Sequence, residues 1–331
     1  MSAPKVLITG GYGCIGSETA KWLIRNSAAE VVIASRRISE QRTERVFHDT
    51  DRSRLAFEEL DVTNANRLQQ LLTEHRVSHV VHMAALQTPD CNAHRNLGLQ
   101  INLAGTQNLV EAMKACGRQF DRYIFASSIA VYGPRSSYPM ERVPMLSEPN
   151  PVNVYGAWKL AGESVSKFFW QDTGTPTLSI RPGVLFGPGR DAGLTASPTT
   201  AMKSVALDLP YQIPFHSRQD YLYAPDVGGA IGNAVLEPFD GYGAFTLPSH
   251  TVDTSQIVDS LKRAASRAGL EDRFRITIGQ EEVPFICDLD YQPFLEAFPK
   301  SPHHSLDEAV TASLDVFVDQ VNRGWLTPEA V

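Results

Sequence analysis

The segment TGGYGCIG, at positions 9–16, places a cluster of glycines, among them Gly10, Gly13 and Gly16, directly between an apolar run and an amphipathic pattern. Val6, Leu7 and Ile8 precede the glycines and predict a buried strand. Apolar residues then recur at helical spacing through 15–23, which predicts a helix. This order of strand, tight turn and helix constrains the fold more than any other feature of the chain.

Each glycine has a separate task in such a turn. Gly10 can adopt a backbone conformation that other residues avoid, Gly13 lets a pyrophosphate approach the backbone, and Gly16 lets helix and strand pack closely. The helix N-terminus, at Cys14 and Ile15, then faces the phosphates. The segment therefore predicts a dinucleotide site that includes these five residues.

The composition is that of a soluble enzyme. A chain of 331 residues, of which 43% are hydrophobic, can bury one large core or two modest ones. A net charge of -7 and a pI of about 5.7 disfavour nucleic acid and anionic membranes as partners. The first apolar run is too short for a signal peptide and no later run approaches the ~20 residues of a membrane span, so we expect a cytoplasmic protein. Cys14, Cys91, Cys116 and Cys287 lack paired spacing, so neither a metal site nor a disulfide framework is predicted.

Short apolar runs alternate with longer helical patterns in the first part of the chain. Strands are predicted at 31–34, 55–60, 77–82, 123–126 and 177–181, and helices near 64–74, 96–115 and 152–171. This alternation predicts an α/β fold with a doubly wound, parallel Rossmann sheet. Prolines and glycines then crowd the segment 182–198. We predict a dinucleotide-binding domain over 1–181, to which 220–247 returns, and a smaller C-terminal substrate-binding lobe built from 182–219 and 248–331.

The residues after the second and third predicted strands bear on the cofactor. An NAD site usually has a carboxylate after the second strand, which accepts hydrogen bonds from the ribose hydroxyls. Here Ser35, Arg36 and Arg37 follow, and arginine binds phosphate bidentately, so we predict NADP, with NAD possible. The alternative is that both arginines are solvated loop charges. Asp61, with Val62 beside it, could accept from the adenine amino group or cap the next helix.

Tyr155 and Lys159 lie four residues apart, so a helix places both on one face. A tyrosine, with an ordinary pKa of ~10, is a poor base near neutral pH, and lowering that pKa by about three units takes roughly 4 kcal/mol. A lysine ammonium and a positive nicotinamide ring could supply this stabilisation. The pair is common on helix surfaces, so its meaning depends on the motifs around it.

Six motifs occur in the order found in the extended short-chain dehydrogenases/reductases, the group that includes nucleotide-sugar epimerases and dehydratases. They are the glycine motif, HMAA at 82–85, INLAGTQNL at 101–109, FASSIAVYG at 125–133, the Tyr-Lys pair and IRPGVLFGP at 180–188. The chain resembles this family from Lys5 to Asp226. The resemblance implies that Ser128, rather than Ser127, hydrogen-bonds the reacting oxygen. It also implies that Tyr155 is the acid or base and that Lys159 holds the nicotinamide ribose.

The resemblance implies further contacts to the cofactor and to the substrate. The cofactor would contact Met83, Ala84, Ala85, Asn102, Pro182 and Gly183, and the substrate would contact Gln87 and Tyr132, near Leu86. In the expected lobe, Arg190, His216 and Arg218 could meet a substrate carboxylate. The pair Pro182-Gly183 also resembles family members that oxidise small hydroxy acids, such as threonine and sugar-acid dehydrogenases.

Two departures from the family pattern concern the substrate. Members that bind nucleoside diphosphate sugars usually have an asparagine where this chain has Val184, and an arginine where it has Gln219, with Arg218 one place away. Losing both removes a polar anchor and a phosphate clamp, which argues for a smaller substrate. We predict an NADP-preferring oxidoreductase that moves a hydride between the nicotinamide and a secondary alcohol or ketone of a sugar acid or hydroxy acid.

Two other functions stay open. A nucleotide-sugar 4-epimerase or dehydratase would use the same serine, tyrosine and lysine but return the hydride within one cycle. A non-catalytic NADP sensor is disfavoured, because it does not need a tuned tyrosine. The family also suggests a homodimer packed through the helices near 96–115 and 152–171.

Overall fold

The computed structural model of the chain describes residues 3–193, 195–283 and 285–331. The strands in these residues are β1 Lys5–Thr9, β2 Glu30–Ser35, β3 Leu55–Glu59, β4 His79–His82, β5 Arg122–Ala126, β6 Thr177–Arg181, β7 Val184–Phe186, β8 Tyr211–Phe215, β9 Arg218–Tyr223, β10 Tyr242–Thr246, β11 His250–Asp253 and β12 Ile276–Glu281. The α-helices are α1 Cys14–Asn26, α2 Glu40–Phe47, α3 Ala65–Glu74, α4 Thr88–Ala93, α5 Arg95–Leu99, α6 Gly105–Ala115, α7 Val154–Thr173, α8 Ser197–Ala206, α9 Ala224–Leu236, α10 Thr254–Arg267, α11 Gln292–Ala297 and α12 Leu306–Asn322.

Seven parallel strands form the central sheet in the order β10-β6-β5-β4-β1-β2-β3. Val6, Leu7 and Ile8 of β1 are fully buried, as expected for a parallel strand with helices on both faces. From β1 the chain builds outwards to β3 on one side, and from β4 to β10 on the other. The sheet confirms the predicted doubly wound fold, and its strand order reverses between β1 and β4, where such sheets bind ligands.

Local hydrogen bonds explain where the elements differ from their predicted bounds. The strand predicted from 77 begins at His79, because the Val77 N–H bonds to the Leu72 carbonyl oxygen at the end of α3. The helix predicted near 96–115 is divided by a π-helical turn at Gln100–Ala104, between α5 and α6. The helix predicted near 152–171 begins after Asn153, whose side chain accepts from the Gly156 N–H.

The remaining strands form a smaller lobe at the carboxyl edge of the central sheet. Strands β11, β9 and β7 make one sheet, β12 pairs with β8, and helices α8, α10 and α12 pack together with them around a second apolar core. Helix α9 packs on α1, and β10 joins the central sheet. The domain boundaries given above remain a prediction. Within the described ranges, no helix combines the length and the apolar character that a membrane crossing requires.

Candidate active site

A cleft of about 490 Å³ opens at the carboxyl edge of the central sheet, a size typical of small-molecule sites. The predicted site residues that line it are Gly10, Gly13, Cys14, Ile15, Gly16, Ser35, Arg36, Asp61, Val62, Met83, Ala84, Ala85, Gln87, Ser128, Tyr132, Tyr155, Lys159, Pro182, Gly183 and Arg190. Four predicted residues lie outside this lining, namely Arg37, Asn102, His216 and Arg218. The cleft therefore brings the glycine turn and the Ser-Tyr-Lys group to one site.

The glycine turn has no room for a Cβ at Gly10 or Gly16. Gly10 has a φ of +70°, and a Cβ on it would lie 2.9 Å from the Ala84 nitrogen. A Cβ on Gly16 would lie 2.7 Å from the Gly10 oxygen. Gly13 precedes α1 and has no side chain to cap it, so N–H groups of the first helical turn stay open to the cleft. This arrangement fits the phosphates of a dinucleotide.

Burial keeps the thiol of Cys14 in its protonated form. Desolvation raises the pKa of this thiol to about 12. Its sulfur lies 3.5 Å from the Pro188 carbonyl oxygen, so it lines the turn beside the 187–190 loop. The cysteine at the helix start is therefore a neutral contact and not a thiolate.

The end of the cleft next to Ser35 and Asp61, where we expect the adenosine (the adenosine end), carries charges of both signs. Ser35 and Arg36 line it, as does Arg42 of α2, whereas Arg37 is exposed and lies outside the lining. Asp61 accepts from the backbone N–H of Thr63 at 2.9 Å and from its hydroxyl at 2.7 Å. These bonds lower the pKa of Asp61, so it faces the cleft as an ionised acceptor.

Tyr155 and Lys159 share one face of α7. The Lys159 Nζ donates to the Ala126 carbonyl oxygen at 2.6 Å and lies 5.7 Å from the centre of the Tyr155 ring. Burial lowers the pKa of Lys159 to about 8. Burial also raises the pKa of Tyr155, and the Ser128 hydroxyl and the Arg190 charge oppose that shift. The tyrosine is thus protonated in this structure, next to two groups, the Ser128 hydroxyl and the Arg190 guanidinium, that favour its phenolate form.

The two neighbouring serines have different partners. Ser127 Oγ donates to Glu163 Oε1 at 2.5 Å, and Glu163 forms a buried two-point ion pair with Arg181 at 2.7 and 2.6 Å. Ser128 Oγ accepts from the Ala130 N–H at 3.1 Å and its proton remains free to point into the cleft. Tyr132 accepts a bond from Arg181, so its hydroxyl belongs to the support of the site.

Asn102 supports the loop that follows β4. It lies in the π-helical turn, accepts from the Leu86 N–H at 2.7 Å and donates to the Leu86 carbonyl oxygen at 2.9 Å. Such turns often occur at functional sites because they reorient one side chain within a helix. Asn102 therefore holds the lining residues 83–87 from behind and does not itself line the cleft.

A buried histidine, which the motif HMAA contains, completes this support. Thr106 Oγ1 donates to the Asn102 carbonyl oxygen, so it accepts from His82 Nε2, at 3.1 Å. His82 Nδ1 then accepts from Thr9 Oγ1 at 2.7 Å. Burial and the charge of Lys159 lower the pKa of His82 to about 3, so the ring is neutral.

The lobe side of the cleft contains one of the three residues predicted to meet a substrate carboxylate. Arg190 donates to Gln87 Oε1 at 3.2 Å and to Thr195 Oγ1 at 3.4 Å, and burial lowers its pKa. Arg218 instead pairs with Asp288 at 3.0 Å. His216 is exposed and is not among the lining residues.

Several residues that line the cleft were not predicted from the sequence. The lobe adds Thr195, Phe285 and Ile286, and the adenosine end adds Tyr12 and Arg42. Tyr12 lies inside the glycine motif and could have been noticed there. Arg42 has no signal in the sequence, because only the packing of α2 against the turn brings it to the cleft.

The fold and the site define an extended short-chain dehydrogenase/reductase, an enzyme that uses a nicotinamide dinucleotide. The chain belongs to the NAD-dependent epimerase/dehydratase family, whose model matches residues 6–246. An uncharacterised epimerase/dehydratase of Staphylococcus aureus strain USA300 is 25% identical, with 92% of this chain and 88% of that protein covered. The resemblance that the motifs suggested is confirmed.

Solved structures share the fold at low sequence identity. The UDP-glucose 4-epimerase of Thermotoga maritima has a TM-score of 0.80 at 21% identity, with 96% of this chain and 99% of that chain covered. The L-threonine dehydrogenase of Clostridium difficile has a TM-score of 0.78 at 21% identity, covering 99% and 100%. The UDP-glucuronic acid 4-epimerase of Bacillus cereus, solved with NAD, has a TM-score of 0.77 at 22% identity, covering 96% and 99%.

Proposed function

We propose that the protein is an NADP-preferring oxidoreductase that acts on a secondary alcohol or ketone of a small acidic substrate, a sugar acid or hydroxy acid. One observation carries this proposal. Ser128, Tyr155 and Lys159 line the same cleft as the glycine turn, with arginines where the adenosine ribose would lie. The cleft thus joins a dinucleotide site to a proton-transfer group.

The bound dinucleotide would supply the carbon that accepts or returns a hydride. The chain's own residues would handle the proton. Tyr155, in its phenolate form, would accept the proton of the substrate hydroxyl as the alcohol is oxidised to a ketone, with the hydride passing to the dinucleotide. Ser128 holds the reacting oxygen. The Lys159 ammonium lies 5.7 Å from the centre of the Tyr155 ring. The Ser128 hydroxyl and the Arg190 charge oppose the rise that burial causes in the pKa of Tyr155.

The lobe side of the cleft supports a small acidic substrate. Arg190 is held towards the cleft by Gln87 and Thr195, and a guanidinium can bind a carboxylate at two points. Val184 lines the wall without offering a polar anchor. Arg218 is already paired with Asp288, and Gln219 is fully buried, so neither stands ready as a phosphate clamp.

A nucleotide-sugar 4-epimerase or dehydratase is the second candidate. Membership of the family and the likeness to the Thermotoga maritima UDP-glucose 4-epimerase support it. The two candidates differ in whether the cofactor must be exchanged: an epimerase or dehydratase returns the hydride within one cycle, whereas an oxidoreductase releases the changed cofactor after each turnover. Denaturing the purified protein and identifying the released nucleotide separates them: near-stoichiometric bound dinucleotide favours the epimerase or dehydratase, and a freely exchanging NADP site favours the oxidoreductase.

Tyr155→Phe tests the proton-transfer role under either candidate. The change removes only the hydroxyl, so we expect turnover to fall by about 100-fold or more, while NADP affinity measured by calorimetry stays within about twofold. Tyr211→Phe, the same change in β8, should leave both quantities unaltered. Full activity in Tyr155→Phe would exclude the assigned mechanism.

We also propose a homodimer. The helices expected at its interface carry large exposed apolar side chains, with Phe168 63%, Leu97 44% and Leu99 43% exposed. Association would remove this surface from water. Light scattering coupled to size-exclusion chromatography measures the molar mass directly, and a monomer at micromolar concentration would contradict the proposal. The cytoplasmic location stays a prediction.

A further inference from the structure

We propose that Arg42, held over the ring of Tyr12, is a specificity-determining residue that binds the 2′-phosphate of NADP together with Arg36. Tyr12 would act as the positioning residue for Arg42. This inference rests on the proposed NADP preference and extends it from the loop after β2 to helix α2. Neither Arg42 nor Tyr12 belongs to the set of site residues predicted from the sequence.

Arg42 is fixed to the glycine turn by two contacts. Its guanidinium carbon lies 4.9 Å from the centre of the Tyr12 ring, and its Nη2 donates to the Tyr12 carbonyl oxygen at 3.3 Å. A guanidinium over an aromatic face is attracted by the ring and keeps N–H groups at its edge free to donate to the oxygens of an anion. The contacts therefore aim the arginine at the part of the cleft that Ser35 and Arg36 also line.

Tyr12 is itself held rigidly. The ring is 5% exposed and stacks on Phe57 with ring centres 6.0 Å apart. Its hydroxyl bonds to that of Thr43, which donates to the Ser39 carbonyl oxygen at 3.0 Å. Because Tyr12 belongs to the same turn as Gly10 and Gly13, its ring links the position of Arg42 to the pyrophosphate site. A flexible surface arginine would lack this link.

The surrounding carboxylates leave Arg42 available. Glu40 and Glu44 on the same helix both pair with Arg52, at 3.2 and 3.1 Å. In the described part of the chain, no carboxylate oxygen lies within 4.0 Å of the Arg36 or Arg42 guanidinium. Two guanidinium groups that form no ion pair at the rim of one cleft can bind a doubly charged anion.

Arg37 provides a matched control. It is adjacent to Arg36, has the same charge and is exposed as Arg36 and Arg42 are, but it lies outside the cleft lining. A general electrostatic attraction would use Arg37 and Arg42 about equally. In a specific phosphate site, Arg42 would contribute to binding and Arg37 would not.

The test measures binding of 2′,5′-ADP and 5′-AMP to the full-length protein by calorimetry, since these ligands differ only in the 2′-phosphate. The wild type should bind 2′,5′-ADP more tightly. Arg42→Gln should weaken 2′,5′-ADP binding by about tenfold or more and 5′-AMP binding by less than about twofold. Arg37→Gln should change neither. Thermal melts of each variant confirm that the fold is retained.

Two further variants test the positioning role of Tyr12. Tyr12→Phe keeps the ring and should preserve the preference for 2′,5′-ADP, whereas Tyr12→Leu removes the ring and should reduce it as Arg42→Gln does. If Arg42→Gln keeps the wild-type preference, or if Arg37→Gln loses as much, the assignment of Arg42 is wrong. If the wild type itself binds both ligands equally, the proposed NADP preference fails first.

Discussion

The two ends of the cleft are built by different physical means: the end at the glycine turn, which we propose binds the dinucleotide (the nucleotide end), and the end at Ser128, Tyr155 and Lys159, which we propose transfers the proton (the catalytic end). The nucleotide end is shaped by backbone crowding, since the turn leaves no space for a Cβ at Gly10 or Gly16. The catalytic end is shaped by buried charge: Lys159, Glu163 and Arg181 are 3%, 5% and 6% exposed. The crowding at Gly16 comes from Gly10 in the same turn and that at Gly10 from the backbone at Ala84. A buried charge instead needs particular polar side chains and backbone groups as partners.

This difference has an energetic consequence. A turn of glycines is costly in the conformational entropy of the unfolded chain but requires no compensating partner. A buried charge is tolerated only when its hydrogen bonds and its counter-charge are in place. Substitutions at the catalytic end should therefore produce the larger changes in stability, and those changes should depend on pH.

The largest effect is expected for Glu163→Ala. The change would leave Arg181 buried without its carboxylate and would remove the acceptor of Ser127. We expect the free energy of unfolding in urea to fall by about 3–5 kcal/mol. Glu74→Ala is the control, because Glu74 is exposed and pairs with Arg67 at 3.2 Å. It should cost less than about 1 kcal/mol. Equal losses in the two variants would show that burial of the Glu163 pair does not matter.

The next effect has the opposite sign. Lys159→Met replaces a buried ammonium with an apolar side chain of similar length, so we expect turnover to be lost and stability at pH 7 to rise by about 1–3 kcal/mol. The upper value corresponds to the lowering of the pKa of Lys159 from 10.5 to about 8. Loss of the bond to the Ala126 carbonyl oxygen reduces the gain.

The pH dependence of this difference identifies its cause. Below pH 8 the wild-type lysine is protonated in both the folded and the unfolded state, and the folded protein carries the full desolvation cost. Between pH 8 and 10.5 the unfolded state binds more protons, so the wild type gains stability relative to Lys159→Met as pH rises. Lys167→Met, an exposed change on the same helix, should show no such gain. A pH-independent difference at Lys159 would contradict the assigned pKa.

The sequence predicts contiguous segments of this molecule better than contacts between distant segments. The first strand, the glycine turn and α1 are contiguous, so apolar periodicity and glycine spacing were sufficient to predict them. The pairing of Arg218 with Asp288, by contrast, joins residues 70 positions apart, and nothing near Arg218 indicates that its charge is already used. Long-range pairs of this kind have no local pattern.

The supports of the catalytic end were hidden for a related reason. Asn102 is part of a recognisable motif, but its position behind the loop at Leu86 results from one π-helical turn, which helical periodicity does not predict. Likewise Arg42 reaches the cleft only because α2 packs against the turn at Tyr12. Motifs therefore predicted which residues gather at the site better than what each one contacts.

The smallest expected effect tests the nucleotide end, through two glycines with nearly the same backbone angle. Gly10 and Gly174 have φ values of +70° and +69°, but only Gly10 is crowded, since nothing lies within 4 Å of a Cβ at Gly174. Alanine at Gly174 should cost about 1 kcal/mol of unfolding free energy, the strain of the left-handed conformation alone. Alanine at Gly10 should cost about 2 kcal/mol and should also weaken NADP binding, because its Cβ would press on the Ala84 nitrogen. Calorimetric titration and urea denaturation of both variants separate conformational strain from crowding. Equal stability losses with unchanged NADP affinity would mean that backbone crowding does not shape the nucleotide end.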